Sequence, residues 1–197
     1  MERRKRTRQV EATRQRIISA ALPLLSQRQF EVVSMDDIAR AASVSRPTLY
    51  NHFNDKAAIL DACFADEFAA GAQEMLCQAM ELSSLRERLA FVFDDFAKWA
   101  APKKSLLLPV ISHSIRQSLA LPCKAHPLQA FFAAVIGKPR SEVNDHRHNE
   151  ILAHYLQHLY LGATLRWLMS DEPGPENFFS EMLSLFLDGA ESKRGAT

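Results

Sequence analysis

The sequence predicts an all-α protein of about nine helices, a small three-helix N-terminal domain followed by a larger helical one. Three observations lead there. Apolar residues recur at three- and four-residue spacing almost throughout, and no stretch alternates apolar and polar residues for long. The breaks between periodic stretches are short and marked by Ser, Asn, Pro or Gly. Charge divides unevenly: residues 1–56 hold 11 Lys and Arg against 6 Asp and Glu, and residues 57–197 hold 13 against 17. The net charge of +1 therefore conceals a basic N-terminal quarter and an acidic remainder.

Each element has its own local reason. Residues 11–28 place Ile17, Ala21, Leu24 and Leu25 on one face, with Pro23 either bending the helix or turned to solvent. The arginine-rich residues 1–10 ahead of it read as a flexible basic arm. Ser34 with Asp37 three residues on resembles a capping box and opens a helix over 35–42. Ser45 caps the next helix, 46–53, where Pro47 sits in the first turn and forfeits no hydrogen bond. Asn54 caps a long helix over 55–80 that carries Ile59, Leu60, Cys63, Phe64, Phe68 and Met75 inward.

Beyond it, residues 84–100 space Leu85, Leu89, Val92, Phe93, Phe96 and Trp99 helically and stop at Ala101-Pro102. Helices over 104–119, 128–136 and 147–170 follow, with Pro109 a candidate kink. The turn Asp171-Glu172-Pro173-Gly174-Pro175 then leads to a last helix, 175–189. The expected domains are a basic arm (1–10), a small three-helix domain (11–56), a larger helical domain (57–190) and a flexible tail (191–197).

Composition narrows the function classes. With 197 residues and 47% apolar content the chain has the material for a sizeable core. No run of about eighteen uncharged apolar residues occurs and no apolar leader follows the N-terminal arginines, so a cytoplasmic protein without membrane contact is expected. Cys63, Cys77 and Cys123 are odd in number and widely spaced, which suits free thiols. No nucleophile elbow, phosphate-binding glycine loop, HExxH or paired-carboxylate motif is present, and 6 glycines leave little for such loops. Neither enzymatic activity nor a cofactor is expected.

The stretch that does carry function is SMDDIARAASVSRPTLYNHFNDK, residues 34–56. Two short helices separated by a few residues, the second carrying polar and aromatic side chains near its start, form the helix-turn-helix pattern. Ile38, Ala39, Ala42 and Val44 supply close packing, and Leu49 and Phe53 face the same core. Ser45, Arg46, Thr48, Tyr50 and His52 are left outward. Arg46 suits the guanine fork or a phosphate, Thr48 a thymine methyl, and Tyr50 and His52 phosphate oxygens. Lys56 adds charge at the start of the following helix. The basic arm either tracks phosphates and the minor groove or serves as a solubilising tail.

The run Phe30…Ser34-Met35-Asp36-Asp37-Ile38-Ala39…Ala42-Ser43-Val44-Ser45…Thr48-Leu49-Tyr50-Asn51-His52-Phe53-Asn54-Asp55-Lys56 resembles the N-terminal domain of TetR-family transcriptional regulators. Ser43 stands where that family usually has a turn glycine, and Gln29 precedes Phe30 where glycine is common. The resemblance implies an all-helical homodimer whose first three helices bind DNA and whose fourth links them to a ligand-binding and dimerising domain. It also implies DNA-contact roles for Ser34, Ser45, Arg46, Thr48, Tyr50, His52 and Lys56.

The last two helices are apolar nearly all round, which calls for a second buried face and hence a second copy of the chain. Leu159, Trp167, Phe178, Met182, Leu185 and Phe186 are the expected dimerisation residues, and a dimer implies an inverted-repeat operator in double-stranded DNA. Phe91, Phe93, Phe96, Trp99, His113, Arg116, Phe131, Phe132, His154, Tyr155 and His158 suit an apolar pocket with a few orienting polar groups, for a small apolar or amphipathic effector. His154 and His158 would share a metal with His146 or His148, but carboxylate or thiolate at matching spacing is missing and no metal is expected. The reading is a repressor released from its operator by a small molecule. An activator or partner-controlled regulator, and a small-molecule binding protein or enzyme with a vestigial head, are the alternatives.

Overall fold

The computed structural model of the chain describes residues 2–120, 127–137 and 143–191. These residues form nine α-helices and no strand: α1 (Glu2–Gln27), α2 (Met35–Ala41), α3 (Arg46–His52), α4 (Lys56–Met80), α5 (Leu85–Ala100), α6 (Lys104–Ala120), α7 (Pro127–Ile136), α8 (Val143–Leu168) and α9 (Glu176–Glu191). A 3₁₀ turn, Ala101–Lys103, joins α5 to α6. None of these helices is long and apolar enough to cross a membrane.

Two compact units divide the chain, Met1–Ala70 with Ser105–Leu121, and Gly71–Lys104 with Pro122–Thr197. The division falls inside α4, so the first unit takes in half of that helix and α6 as well as the expected DNA-binding residues. The largest departure from expectation is at the N-terminus, where α1 begins at Glu2 and residues 3–8 continue the helix instead of forming a separate arm. Arg, Lys, Gln and Glu are good helix formers, and no Pro or Gly interrupts the run before Pro23. Of the expected tail, residues 192–197 lie outside the described residues.

The first unit closes around Ile17, Ala21, Leu25, Ile38, Leu49, Ile59 and Leu60, all buried. Cys63 joins them, with its thiol 3.7 Å from the Ile18 carbonyl oxygen. Burial, and secondarily the charges of Asp66 and Glu67, push that thiol up to about 12, so it stays protonated and unreactive at neutral pH.

The start of α2 is held by a reciprocal cap. The Asp37 N–H donates to Ser34 Oγ at 3.1 Å, and the Ser34 N–H donates to Asp37 Oδ2 at 3.1 Å. Ser84 and Glu87 repeat the arrangement at α5, at 3.2 and 3.0 Å. The Ser34 hydroxyl and N–H together hold the Asp37 carboxyl below its ordinary 3.8, and the Ser84 N–H and hydroxyl hold Glu87 below 4.5. Near those values the unfolded chain binds more protons than the folded one. The contribution of both caps is therefore complete above the ordinary values and is lost as pH falls through the lower folded ones. A carboxyl chemical-shift titration is expected to place Asp37 below 3.8 in the wild type and return it towards 3.8 in Ser34→Ala.

The other end of α2 explains Ser43. The Ser43 N–H donates to the Arg40 carbonyl oxygen at 3.1 Å and the Val44 N–H to the Ala39 carbonyl oxygen at 3.0 Å, a Schellman ending. The residue at its bend takes a left-handed backbone, and Ser43 has φ 52°. A side chain there costs roughly 1 kcal/mol that glycine would not pay, partly offset by glycine's freer unfolded state. Ser43→Gly should raise stability by about 0.5–1 kcal/mol in urea titrations, with the fold unchanged.

The second unit is built on rings. Phe93 of α5 lies with its centroid 5.7 Å from that of Phe132 (α7), 5.8 Å from Tyr160 (α8) and 5.9 Å from Phe179 (α9). Phe96 and Phe131 extend the cluster, their rings 6.2 Å apart. Such edge and tilted contacts add to the stabilisation that area burial gives. Below the cluster Trp167 is 0% exposed, its Nε1–H donating to the Glu172 carbonyl oxygen at 3.2 Å. Lys104 Nζ donates to the Ser170 and Glu172 carbonyl oxygens, both at 2.7 Å, and lies 5.3 Å from the Trp167 ring centroid. One cation thus caps the end of α8 with charge of the favourable sign.

Candidate nucleic-acid interface

Helix α3 is seven residues long and is held down by Leu49, fully buried, and by Phe53 at its C-terminal end. The Arg14 guanidinium lies 5.3 Å from the Phe53 ring centroid, bringing α1 over that end. Ser45 caps the helix, accepting from the Thr48 N–H at 3.2 Å and sharing a hydrogen bond with Thr48 Oγ1 at 2.7 Å. With these anchors in place, Arg46, Tyr50 and Asn51 are exposed, and Thr48 and His52 are half-buried on the opposite flank of the helix. Ser34 and Ser45 are exposed as well, their hydroxyls already engaged in the caps of α2 and α3.

Arg46 is oriented on two sides. Its Nε lies 3.3 Å from Asp36 Oδ1 of α2, and its guanidinium carbon is 5.7 Å from the Tyr50 ring centroid. Both partners of the ion pair are largely exposed, so the pair contributes little to stability, yet it selects one conformer of a long side chain. Sequence reading did not single out Asp36. The signal was its place in the first turn of the supporting helix, beside the start of α3.

Lys56 departs from expectation. Its ammonium turns inward, donating to the carbonyl oxygens of Phe30, of Glu31 at 3.2 Å and of Val33 at 2.9 Å, while lying 4.4 Å from the Phe30 ring centroid. A lysine ammonium has three N–H donors, and these acceptors take them all. The physical reason is the loop after α1, whose carbonyls have no helical partners and converge where the stem of Lys56 reaches.

The residues expected to line one ligand pocket are placed in three settings. Phe96 and Phe132 are buried in the aromatic cluster of the second unit, and Trp99 is half-buried with the Lys103 ammonium 4.4 Å from its ring centroid. His113 and Arg116 belong to the first unit. His113 is buried with Nδ1 3.7 Å from Asp55 Oδ1, the adjacent Ser114 hydroxyl donates to Asp61 Oδ1 at 2.9 Å, and Arg116 is exposed. His154, Tyr155 and His158 stand exposed on α8. His154 and Tyr155 line an open cleft of about 480 Å³ with Gln129, Arg147, Glu150 and Ile151.

Phe93 and Phe131 belong to the same ring cluster, and Tyr160 and Phe179, which complete it, were not among the expected pocket residues. Tyr160 was legible from its spacing, since Leu156, Ala163 and Trp167 share its helix face and are buried. Burial pushes the Tyr160 hydroxyl up to about 12, against the opposing effect of a hydrogen bond with Thr164. The His154 and His158 rings are 4.5 Å apart, and His158 Nδ1 is 2.8 Å from the His154 carbonyl oxygen. No group of three metal-ligating side chains occurs among the described residues.

The expected dimer residues also separate. Trp167, Met182 and Phe186 are buried in the core of their own unit, so they have no surface to offer a second copy. Phe178 is half-buried under the Arg166 guanidinium, 5.5 Å from its ring centroid, with Arg166 paired to Glu181 at 3.3 Å. Leu159 and Leu185 do remain exposed, as do Ile151, Tyr155 and Met169, with Ile151, Tyr155 and Leu159 one turn apart along α8.

Known proteins place these features. The family model of the bacterial regulatory proteins, tetR family, matches residues 17–63, which run from α1 through the helix-turn-helix into α4. The HTH-type transcriptional regulator AcrR of Shigella flexneri is 34% identical over 115 residues, 56% of this chain and 53% of the relative. SrpR of Pseudomonas putida is 44% identical over 62 residues, 32% of this chain and 29% of its own. The chain thus spans about half the length or less of these curated relatives.

Whole-chain likeness comes from solved structures. FadR of Thermus thermophilus, a TetR family transcriptional repressor in complex with lauroyl-CoA, superposes with a TM-score of 0.69 at 25% identity, covering 89% of this chain and 94% of its own. A TetR transcriptional regulator from Rhodococcus sp. RHA1 shares the fold with a TM-score of 0.62 at 20% identity, covering 90% and 96%. The helix-turn-helix head thus matches the tetR family of bacterial regulatory proteins in sequence, and the all-helical fold of the chain matches that of solved TetR-family regulators.

Proposed function

We propose that the chain is a dimeric transcriptional repressor that binds an inverted-repeat operator and is released by a small apolar or amphipathic effector. The observation that carries the reading is α3, where Arg46 and Tyr50 are exposed one turn apart and Thr48 and His52 lie half-buried on the other flank, around the buried anchors Leu49 and Phe53. A short helix with that division of side chains serves the major groove and little else. Ser34 and Ser45 stand at the edges of the same surface and suit phosphate contacts. The helical, basic start of α1 suits further phosphates.

The exposed row Ile151, Tyr155 and Leu159 along α8, with Leu185 exposed on α9, supports self-association, because an isologous contact needs one self-complementary apolar face. Two copies then present two heads to half-sites one helical turn apart, roughly 34 Å. The ring cluster of the second unit supports an apolar effector, and a repressor of the same fold that binds lauroyl-CoA makes a long acyl chain the first class to try. Effector and operator would favour different arrangements of the dimer and weaken each other's binding by the same factor.

Selection from a pool of random DNA duplexes tests the reading at its base. Enrichment of an inverted repeat is the expected result, and its release by an acyl-CoA series would identify the effector class. A pool that shows no enrichment overturns the proposal.

A further inference from the structure

We infer that Lys56 is a positioning residue of the DNA-binding head, fastening the α1–α2 connection to the first turn of α4, and that it makes no phosphate contact. The inference rests on the DNA-binding reading above. Its ground is the coordination of one ammonium. Phe30, Glu31 and Val33 each turn a carbonyl oxygen to Lys56 Nζ, and the Phe30 ring covers it at 4.4 Å. With every donor engaged, an approaching phosphate would find no N–H unless the clamp came apart.

The fastening leads directly to the recognition surface. Val33 precedes Ser34, the residue that caps α2 through the reciprocal bonds with Asp37. Asp36, in that same first turn, holds Arg46 at 3.3 Å. The path from α4 to the exposed guanidinium therefore runs through Lys56, the carbonyls of the connection, the α2 cap and Asp36. All of it lies inside the first unit. A shift of α4 carries the start of α2 with it, and the conformer of Arg46 follows.

A phosphate-binding lysine and a clamping lysine predict different things of Lys56→Met, which keeps the apolar stem on Phe30 and removes the charge. The probe is the duplex selected above, with affinity measured across a salt series, and hydrogen exchange followed in residues 29–37. A clamp predicts faster exchange there, affinity lower by about tenfold, and an unchanged salt slope, as suits the loss of charged hydrogen bonds inside the protein. A slope smaller by about 0.9, the value of one phosphate contact, overturns the inference. Wild-type exchange overturns it too, because then Lys56 orders nothing. Should Lys56→Met fail to fold, Lys56→Arg decides: the clamp predicts faster exchange, since a planar guanidinium cannot meet three carbonyls set for an ammonium, and a mere charge contact predicts wild-type exchange and affinity. Wild-type protein that binds no duplex would count against the functional reading and leave the exchange measurement to judge the clamp.

Discussion

Alanine at both Arg46 and Tyr50 is expected to leave the protein folded and to cut affinity for the selected operator by about 100-fold or more. One bidentate base contact contributes about 1–3 kcal/mol and a hydrogen bond to a charged phosphate about 1.5–3 kcal/mol, and about 1.4 kcal/mol is a factor of ten, so an Arg46 base contact and a Tyr50 phosphate contact together account for the loss. Stability should hardly change. Arg46 is exposed, Tyr50 is 40% exposed, and the ion pair with Asp36 is solvated. The single variants divide the roles. If Arg46→Ala flattens the preference at one base pair of each half-site, the guanidinium reads a base; if it lowers affinity for all sequences alike and reduces the salt slope by about 0.9, it holds a phosphate. Anisotropy titrations on wild-type and single-mismatch duplexes over a salt series make the measurement.

Trp167→Ala is expected to destabilise the second unit by about 3–5 kcal/mol, against a total of about 5–15 kcal/mol for a folded domain. The indole is the largest fully buried side chain of the chain's core, and its removal leaves a cavity. It also strips a donor from the Glu172 carbonyl and uncovers the Lys104 ammonium. Trp167→Phe keeps most of the volume and loses the hydrogen bond, so about 1–2 kcal/mol is expected there. Urea unfolding at several protein concentrations checks both values and their origin. A residue inside its own unit gives a loss that does not depend on concentration, whereas an interface residue gives one that does.

The contrast between Trp167 and Leu185 shows what a sequence can and cannot say about such helices. Both belong to stretches apolar on nearly every side, and spacing alone announces two buried faces without saying which residue serves which. Only the neighbours decide: α8 turns Leu156, Tyr160, Ala163 and Trp167 to the rest of its unit and leaves Ile151, Tyr155 and Leu159 outside, and α9 leaves Leu185 72% exposed. Helix positions were far more legible. Ser34, Ser45 and Ser84 mark starts by local hydrogen bonds within four residues, and local rules read local chemistry. Even the strained bend at Ser43 followed from a Schellman ending two residues before a new cap.

The surroundings of Lys56 and of the pocket residues were hidden for the opposite reason. The acceptors of Lys56 lie 23 to 26 residues away in sequence, and nothing around position 56 announces them. His113 carries the same lesson, being a polar residue among apolar ones that went to the carboxylate side of Asp55 in the first unit. Aromatic content was a guide to a ring cluster with Phe93 at its centre, and its partners Tyr160 and Phe179 were passed over because they sit in the two helices read as a dimer surface. Residues 121–126 and 138–142 hold Cys123, His126 and Arg140 outside the described residues.

Both tryptophans of the chain, Trp99 and Trp167, fall in the second unit, and the first has none. Indole emission is therefore a native optical label for one unit, while helical circular dichroism sums over both. Unfolding curves from the two signals will coincide if the molecule melts as a single cooperative body and separate if the head opens on its own. No dye or tag is needed to learn which.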